Sequence, residues 1–283
     1  MNPRTVAIRA GFRRAGIELR MLFTNGEDLG GILLSPILLL TALFFMRNST
    51  FQDTDLKLGA LALPGVIGSV VAFNGLYGIA QYLVLDREDG TLLRAKATPN
   101  GMIGYLIGKL GANAGSVLAQ VAILLGVGMV IVGGVSLDSV GPWLTLVWVL
   151  ALGLLAISSL GAIIGSIFDD PRGLFFFTMP LMGLVAISGI FYPITGLPGW
   201  LQVVGQVFPM YWLGLGMRSA LLPDGAQAVE LEGSWRHLET AAVLGIWSAA
   251  ALLIAPIVMR RMARRESGAA MAERREKALQ RAY

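Results

Sequence analysis

The stretch SVGPWLTLVWVLALGLLAISSLGAIIGSIF, residues 139–168, contains no Asp, Glu, Lys or Arg over 30 positions. A helix rises about 1.5 Å per residue, so about 20 apolar residues cross the hydrocarbon core of a bilayer. Water is absent at that depth, and a helix satisfies its own backbone hydrogen bonds there. This stretch therefore predicts a transmembrane helix.

Five further runs of the sequence are free of charged residues. They cover residues 29–46, 58–85, 110–137, 173–217 and 240–259. Four of them have the length of one membrane span, while the run from 173 to 217, with 45 residues, has room for one or two. The sequence therefore predicts an all-α integral membrane protein built as a helical bundle.

The overall composition agrees with this fold and excludes other classes. The chain of 283 residues is 55% hydrophobic and 14% charged, against about 25% charged residues in soluble domains. Disordered chains have low hydrophobicity, and secreted disulfide scaffolds need the cysteine that this chain lacks. The net charge of +4 indicates a nucleic-acid partner only if the cations share one soluble face.

The cations instead lie at the chain ends and in one connection between spans. Residues 1–28 contain five arginines, residues 260–283 contain eight Lys or Arg, and residues 86–101 contain three. Cytoplasmic loops of membrane proteins are enriched in Lys and Arg. We therefore expect six transmembrane helices, both termini in the cytoplasm and no nucleic-acid partner. Arg outnumbers Lys by 18 to 4, a bias that suits a bacterial inner membrane protein from a GC-rich genome.

If the chain has six spans, residues 173–217 contain only one of them. Pro193, Pro198 and Pro209 interrupt the second part of this run, and proline disfavours an uninterrupted helix. We therefore expect a span that ends near Tyr192. The following segment, residues 193–217, is expected to form short re-entrant helices that enter the outer leaflet and return.

Three regions follow from this topology: an interfacial helix at residues 1–28, a transmembrane domain at 29–259 and a basic cytoplasmic tail at 260–283. The first region places six apolar residues on one helical face, namely Ile8, Phe12, Ala15, Leu19, Leu22 and Phe23. We expect a basic amphipathic helix on the cytoplasmic membrane surface, and the alternative is a solvated helix packed on a neighbouring domain. The tail arginines next to the last span are expected to anchor it at anionic lipid headgroups.

Residues for metal or catalytic chemistry are scarce. His237 is the one histidine and there is no cysteine, so a metal site or a histidine-based catalytic site has too few residues to form. The segment GYLIGKL at residues 104–110 is one residue short of a phosphate-binding loop and lacks its hydroxyl. We therefore expect no catalytic residues, no metal and no ATP hydrolysis by this chain.

Two stripes of polar side chains follow helical spacing within the predicted spans. They are Lys109, Asn113, Ser116 and Gln120 on the third span, and Asn74, Tyr77 and Gln81 on the second. Such stripes either join helices by hydrogen bonds or line a wet path. Joining helices is the commoner use, and both alternatives stay open. Lys109 lies near the cytoplasmic start of its span, so we expect its ammonium group to snorkel toward the headgroups.

The connection between the second and third spans reads DREDGTLLRAKATP, residues 86–99. Asp89 and Thr91 are suitable helix caps and Pro99 stops a helix, so a helix of about two turns fits between them. Leu92 and Leu93 would be its apolar contacts. The alternative is a plain interfacial turn with both leucines in the headgroup layer.

This connection resembles the coupling-helix segment of type-2 ABC exporter permeases. The resemblance rests on Arg87-Glu88-x-Gly90-Thr91-Leu92, followed by Thr98-Pro99. A second resemblance covers SGIFYP at residues 188–193 and LPGWL at 197–201, followed by Pro209 and Arg218. These residues are similar to the family's fifth span and the outer re-entrant helices after it.

The resemblance implies the permease subunit of a bacterial drug, lipid or polysaccharide exporter. Two permease subunits, identical or paralogous, would pair with two separate ATPase subunits that carry ATP and magnesium. The residues implied in ATPase coupling are Arg87, Glu88, Gly90, Thr91, Leu92, Leu93, Arg94 and Lys96. Those implied in the translocation path are Asn74, Tyr77, Gln81 and Ser188. Where family members often have leucines this chain has Ala95 and Lys96, which implies an acidic groove on its ATPase.

The alternative function is an ion-coupled secondary transporter or channel. Such proteins use carboxylates inside the membrane as proton or ion relays. The six charge-free runs contain none by definition. The sequence therefore favours a permease for an amphiphilic substrate, driven by a separate ATPase.

Overall fold

The computed structural model describes residues 3–49, 57–135, 137–168 and 170–265, and this part of the chain is helical with no β-strand. Ten α-helices follow in order: α1 (Pro3–Thr24), α2 (Gly26–Met46), α3 (Leu58–Glu88), α4 (Thr91–Lys96), α5 (Gly101–Val132), α6 (Val140–Gly165), α7 (Pro171–Ile187), α8 (Gly199–Val207), α9 (Pro209–Leu221) and α10 (His237–Arg265). Short 3₁₀ turns lie between α7 and α8 and between α9 and α10. The all-helical prediction is confirmed for these residues.

Five helices are long and apolar enough to cross a membrane: α2, α3, α5, α6 and α10. The remaining expected span, the fifth in chain order, corresponds to α7, which is apolar but has 17 residues, or about 26 Å. Helices α3 and α5 have 31 and 32 residues, or about 46 and 48 Å, against a hydrocarbon core of about 30 Å. Part of each therefore extends beyond the apolar layer.

One end of the bundle gathers α4 with the ends of α3, α6 and α10. Leu92 of α4 and Met259 of α10 belong to one buried cluster. Arg87, near the end of α3, donates hydrogen bonds to the carbonyl groups of Ser166 and Phe168, which follow α6. We call this the α4 end of the bundle. Helices α5 and α7 begin there, so α3, α5, α6 and α7 alternate in direction.

The opposite end joins α2, α3 and α5. A Cβ atom on Gly59, at the start of α3, would lie 3.2 Å from the Cα atom of Arg47, which follows α2. The same Cβ atom would lie 2.8 Å from a methyl group of Val132, the last residue of α5. Helix α2 therefore runs toward the end of the bundle opposite α4.

Helices α8 and α9 fill the place expected for re-entrant helices. Each is too short to cross a bilayer, since α9 has 13 residues, or about 20 Å. Pro209 opens α9, where its fixed φ suits the first helical turn. Nearly all of α9 is buried against α3, α6 and α10. Small residues allow this contact: a Cβ atom on Gly216 would lie 2.8 Å from a methyl carbon of Val149 on α6.

Helix α1 runs lengthwise along the first part of α5, in the same direction. A Cβ atom on Gly11 would lie 2.8 Å from the carbonyl oxygen of Gly104, and one on Gly111 would lie 2.8 Å from the Cβ atom of Ala15. Ala7 and Ala15 are buried in this contact. Close approach of two helices needs small residues along both, and this pair of helices has them.

The packed face of α1 differs from the apolar face that the sequence predicts. Of that predicted face Ala15 is buried, whereas Ile8, Phe12 and Phe23 are exposed. The small residues that face α5 lie beside the large apolar stripe on the helix. Helix α10 continues through the first arginines of the predicted tail, and residues 266–283 lie outside the described part of the chain.

Candidate functional site

A short helix, α4, lies where the sequence predicts one. Gly90 ends α3 with a φ of 77°, a left-handed conformation that suits glycine and turns the chain into α4. The carboxylate of Asp89 accepts a hydrogen bond from the amide of Thr91 at 2.7 Å. The hydroxyl of Thr98 donates to the carbonyl of Ala95 at 2.9 Å and closes the last turn. Local hydrogen bonds thus define both ends of this six-residue helix.

One leucine anchors α4 to the bundle. Leu92 is 1% exposed and packs in a cluster with Leu83 and Tyr105. Leu93 is half-buried, so of the two leucines predicted as apolar contacts only Leu92 is fully buried. Burying a leucine side chain contributes roughly 1.5–3 kcal/mol. Helix α4 is therefore held against the ends of α3 and α5 rather than lying free in the headgroup layer.

The outer face of α4 is basic. Arg94 and Lys96 are exposed, and Thr91 is half-buried. A guanidinium nitrogen of Arg94 donates to the hydroxyl of Thr91 at 2.8 Å. These residues, together with Leu93 and Glu88, are the members of the predicted coupling set that a partner protein can reach.

Arg87, a residue of the predicted coupling set, lies inside the protein. It is 2% exposed, and its two terminal nitrogens donate to the carbonyls of Phe168 and Ser166, each at 2.7 Å. Gly90 is also buried, and Glu88 is half-buried. Arg87 therefore connects the end of α3 with the segment that leads from α6 to α7.

A groove of about 560 Å³ separates α4 from α1. Its lining includes Ala7, Ala10, Arg14, Thr91, Arg94 and Thr98. The groove brings α1 and the connection between α3 and α5 into one surface at the α4 end, although these two regions are far apart in the sequence.

Lys109 is paired, not snorkelling. Its ammonium nitrogen lies 3.0 Å from a carboxylate oxygen of Asp86 and 3.4 Å from one of Glu18. The hydroxyl of Tyr105 donates to the same Asp86 oxygen at 2.7 Å. The sequence gives one signal of this cluster, because Tyr105 and Lys109 are four residues apart and so share a helical face.

The rest of the polar stripe on α5 joins helices. The amide nitrogen of Asn113 donates to the carbonyl of Gly75 on α3 at 3.0 Å. Gln120 accepts a hydrogen bond from the amide of Asn74 at 2.7 Å. Asn113 and Gln120 are buried, as are Lys109 and Ser116 of the same stripe. Of the two alternatives for this stripe, these contacts favour helix association.

Three of the four predicted path residues share one accessible face of α3. Asn74 and Tyr77 are half-buried and Gln81 is exposed. The Tyr77 ring stacks on Phe73 with centroids 5.6 Å apart. Ser188 is fully buried, and its hydroxyl donates to the carbonyl of Val185 at 2.7 Å. The structure therefore leaves the α3 residues accessible and buries Ser188.

A cavity of about 490 Å³ lies between α2, α3 and α7. Its lining includes Ser35, Phe73, Asn74, Met182, Phe191 and Tyr192. Cavities of this size with apolar walls and a few polar groups suit small amphiphilic molecules. Asn74 is the one predicted path residue in this lining.

The outward faces of α2 and α7 are strongly apolar. Exposed large side chains on α7 include Phe175, Phe176, Met179 and Met182, and those on α2 include Leu34, Ile37, Leu38 and Phe45. These faces flank the cavity. Lipid or another apolar protein surface is suited to contact them.

Arg218 organises the end of the bundle opposite α4. Its side chain is bidentate to Glu230, with the shorter contact at 2.6 Å, and both residues are under 5% exposed. It also donates to the carbonyls of Gly189 at 2.9 Å and Ile190 at 3.2 Å. One buried arginine thus joins α9, the turn after α7 and the loop before α10.

Comparison with known proteins gives one family. The sequence model described as ABC-2 family transporter protein matches residues 40–259, which is most of the chain. The matched region begins in α2 and contains every predicted coupling and path residue. No curated protein matches the sequence.

Proposed function

We propose that this chain, which belongs to the ABC-2 family of transporter proteins, is the permease subunit of an ATP-driven exporter. The family and the five long apolar helices identify a multi-pass membrane protein and a transport subunit. Permeases of this family generally work with an ABC ATPase. The proposal adds the direction of transport, the subunit composition, the amphiphilic substrate and the residues that carry the coupling.

The observation that carries the proposal is the construction of α4. A single buried leucine fixes this helix to the ends of α3 and α5, while Arg94 and Lys96 point away from the bundle. A short helix so anchored can transmit a force from a soluble partner to two long helices. Its two exposed cations favour an acidic groove on that partner.

The proposed topology has six spans with both termini in the cytoplasm. It takes α7 as the fifth span and α8 with α9 as outer re-entrant helices. Two observations support this topology. Helices α3, α5, α6 and α7 alternate in direction, and exposed cations, on α4 and at Arg260 and Arg261, lie at the α4 end, as is typical of the cytoplasmic side. The bacterial inner membrane is the proposed location.

The proposed path lies beside α3, on the face that carries Asn74, Tyr77 and Gln81. The cavity between α2, α3 and α7 opens next to this face, and apolar faces of α2 and α7 flank it. A second permease subunit, identical or paralogous, would cover these apolar faces and complete the path. The apolar lining with a few amide and hydroxyl groups supports an amphiphilic substrate, such as a drug, an antibiotic or a lipid.

ATP and magnesium would bind to two copies of the partner ATPase. Their hydrolysis would supply the free energy, and this chain would contribute the path and the coupling surface. The two access states of the path must differ in their affinity for the substrate, because only a differential affinity links binding to the change of state.

The direct test is purification of the chain together with an ABC ATPase encoded in the same genome. We expect a complex with two copies of each subunit, and ATP hydrolysis that amphiphiles stimulate in nanodiscs. Absence of a complex with every such ATPase, with uptake or release that instead follows an ion gradient in liposomes, would favour the secondary transporter.

A further inference from the structure

A compact group of charged residues lies where α1, α3 and α5 meet. We call Arg14, Glu18, Asp86, Tyr105 and Lys109 the junction cluster. Asp86 and Lys109 are held 3.0 Å apart, and each side chain is 10% exposed. Glu18 reaches the same ammonium group from α1 at 3.4 Å. Lys109 thus stands between carboxylates from two other helices.

Arg14 completes the junction cluster from the α1 side. Its guanidinium group lies 2.7 Å from Glu18 and 5.2 Å from the centroid of the Tyr105 ring. Two acidic and two basic side chains balance each other, and the more buried pair, Asp86 with Lys109, carries no net charge. Charged groups away from water are stable when they are paired and hydrogen-bonded in this way.

The junction cluster is in direct contact with the coupling helix. Leu92 of α4 packs in the same buried group as Tyr105, whose hydroxyl donates to Asp86. Asp86 also lies just four residues before Gly90, where the chain turns into α4. A displacement of α4 therefore acts on Tyr105 and Asp86 first.

From the junction cluster the contacts continue to α2. Helix α1 ends at Thr24, a single residue, Asn25, follows, and α2 begins at Gly26. The side chain of Asn25 caps α2 by accepting a hydrogen bond from the amide of Glu27 at 3.2 Å. Ser35 of α2 lines the cavity beside α3. A movement of α1 is thus passed to one wall of that cavity.

We propose that the junction cluster makes α1 part of the coupling unit, so that α4, the adjoining ends of α3 and α5, and α1 move as one body and carry α2 with them. Glu18, Asp86 and Lys109 are then positioning residues for transport. The inference rests on the proposed role of α4 in coupling. It adds that α1 is a moving part, which contact with lipid alone does not require.

Spin-label distances test whether α1 and α4 move together. The chain has no cysteine, so labels can be placed on exposed residues as R13C in α1, A97C after α4 and V140C at the start of α6. Distances are compared in the complex with its ATPase, without nucleotide and trapped with ATP and vanadate. We expect the distance from residue 97 to residue 140 to change on trapping, and that from 13 to 97 to stay constant.

The variant Glu18→Gln tests whether the junction cluster holds α1 to α4 during transport without being needed for assembly. Its control is Glu27→Gln, at an exposed carboxylate of α2. With Glu18→Gln we expect the distance from 13 to 97 to change on trapping. We also expect transport of an NBD-labelled phospholipid per ATP hydrolysed to fall about fivefold, the lower range of coupling free energies. Assembly and the rate of ATP hydrolysis should persist. The control should match the parent in every measurement.

Two results would overturn the inference. One is a change of the distance from 13 to 97 in the parent, and the other is an unchanged distance and transport ratio in Glu18→Gln. If Glu18→Gln assembles poorly, Glu18→Asp keeps a carboxylate on α1 beside Lys109 and should restore assembly and the parent transport ratio. A fixed distance from 97 to 140 in an assembled complex would show instead that α4 does not transmit movement, and this overturns the proposed function as well.

Discussion

Two buried arginines hold the chain on either side of α7, Arg87 from α3 and Arg218 from α9. Arg87 donates to the carbonyls of Ser166 and Phe168 before α7, and Arg218 donates to those of Gly189 and Ile190 after it. Both arginines are 2% exposed. Arg218 is in addition bidentate to Glu230.

These two sets of contacts show how α7 is attached to the bundle at its two ends. Helix α7 packs one face on α3, through residues such as Leu174, and exposes several large side chains on the other. The arginines fix its two ends to α3 and α9, which are buried helices. At the end opposite α4, a substitution of Arg218 leaves the carboxylate of Glu230 buried without its partner, so we expect this end to be sensitive to substitution.

The largest expected effect is that of Arg218→Met. This change leaves the carboxylate of Glu230 buried and unpaired, and breaking a buried pair in this way costs about 3–5 kcal/mol. Thermal unfolding of the purified protein in detergent measures the loss. The double variant Arg218→Met with Glu230→Leu should recover much of the stability, because it buries no charge. A double variant as unstable as the single one would show that the carbonyl contacts, not the pair, dominate.

Arg87→Met tests the other end of α7. The hydrogen bonds to the carbonyls of Ser166 and Phe168 are lost, and each bond of this type contributes about 1.5–3 kcal/mol. The same unfolding measurement compares it with Arg218→Met. Arg172→Met, at an exposed arginine of α7, is the control. If Arg87→Met unfolds at the same temperature as Arg172→Met, these hydrogen bonds do not hold α7 to α3.

Asp170→Ala removes the helix cap of α7. The Asp170 carboxylate accepts a hydrogen bond from the amide of Gly173 at 2.6 Å. Loss of such a cap costs about 1 kcal/mol. Asp170→Asn keeps the acceptor and should be close to the parent in thermal unfolding. Equal losses in both variants would assign the effect to the charge rather than to the cap.

The smallest effect is expected for Asn74→Leu, which removes one hydrogen bond between α3 and α5. Bonds between helices in membranes contribute about 0.6 kcal/mol on average. Transport of an amphiphile should fall more than stability does, because Asn74 also lines the cavity beside α3. Gln120→Leu removes the same hydrogen bond outside that cavity lining and serves as its control. Equal transport in the two variants would remove Asn74 from the path.

Much of the helical layout can be predicted from the sequence, because lipid excludes charge from a span. Residues 58–85 were expected as a span and α3 covers Leu58–Glu88. Prolines likewise mark the start of α9 at Pro209. These features depend on local sequence, so a single sequence contains them.

The contacts at the α4 end could not be predicted in the same way. Lys109 was expected at the headgroups, and its partners Asp86 and Glu18 are 23 and 91 positions away in the chain. Arg87 belongs to a run of charged residues, a pattern that is typical of a solvated loop. Its carbonyl partners lie 79 and 81 residues further on in the sequence. Pairings at such separations need the fold before the partners are known.

The most direct test of the account is whether the outer face of α4 binds the ATPase. The double variant Arg94→Glu with Lys96→Glu reverses both exposed cations and leaves Leu92 in place, so the bundle should stay folded. We predict that the ATPase purifies with the parent chain at equal stoichiometry and is largely lost from this variant, while Arg20→Glu on α1 retains it. Equal recovery of the ATPase with the double variant and the parent would contradict the role of α4 as the coupling helix.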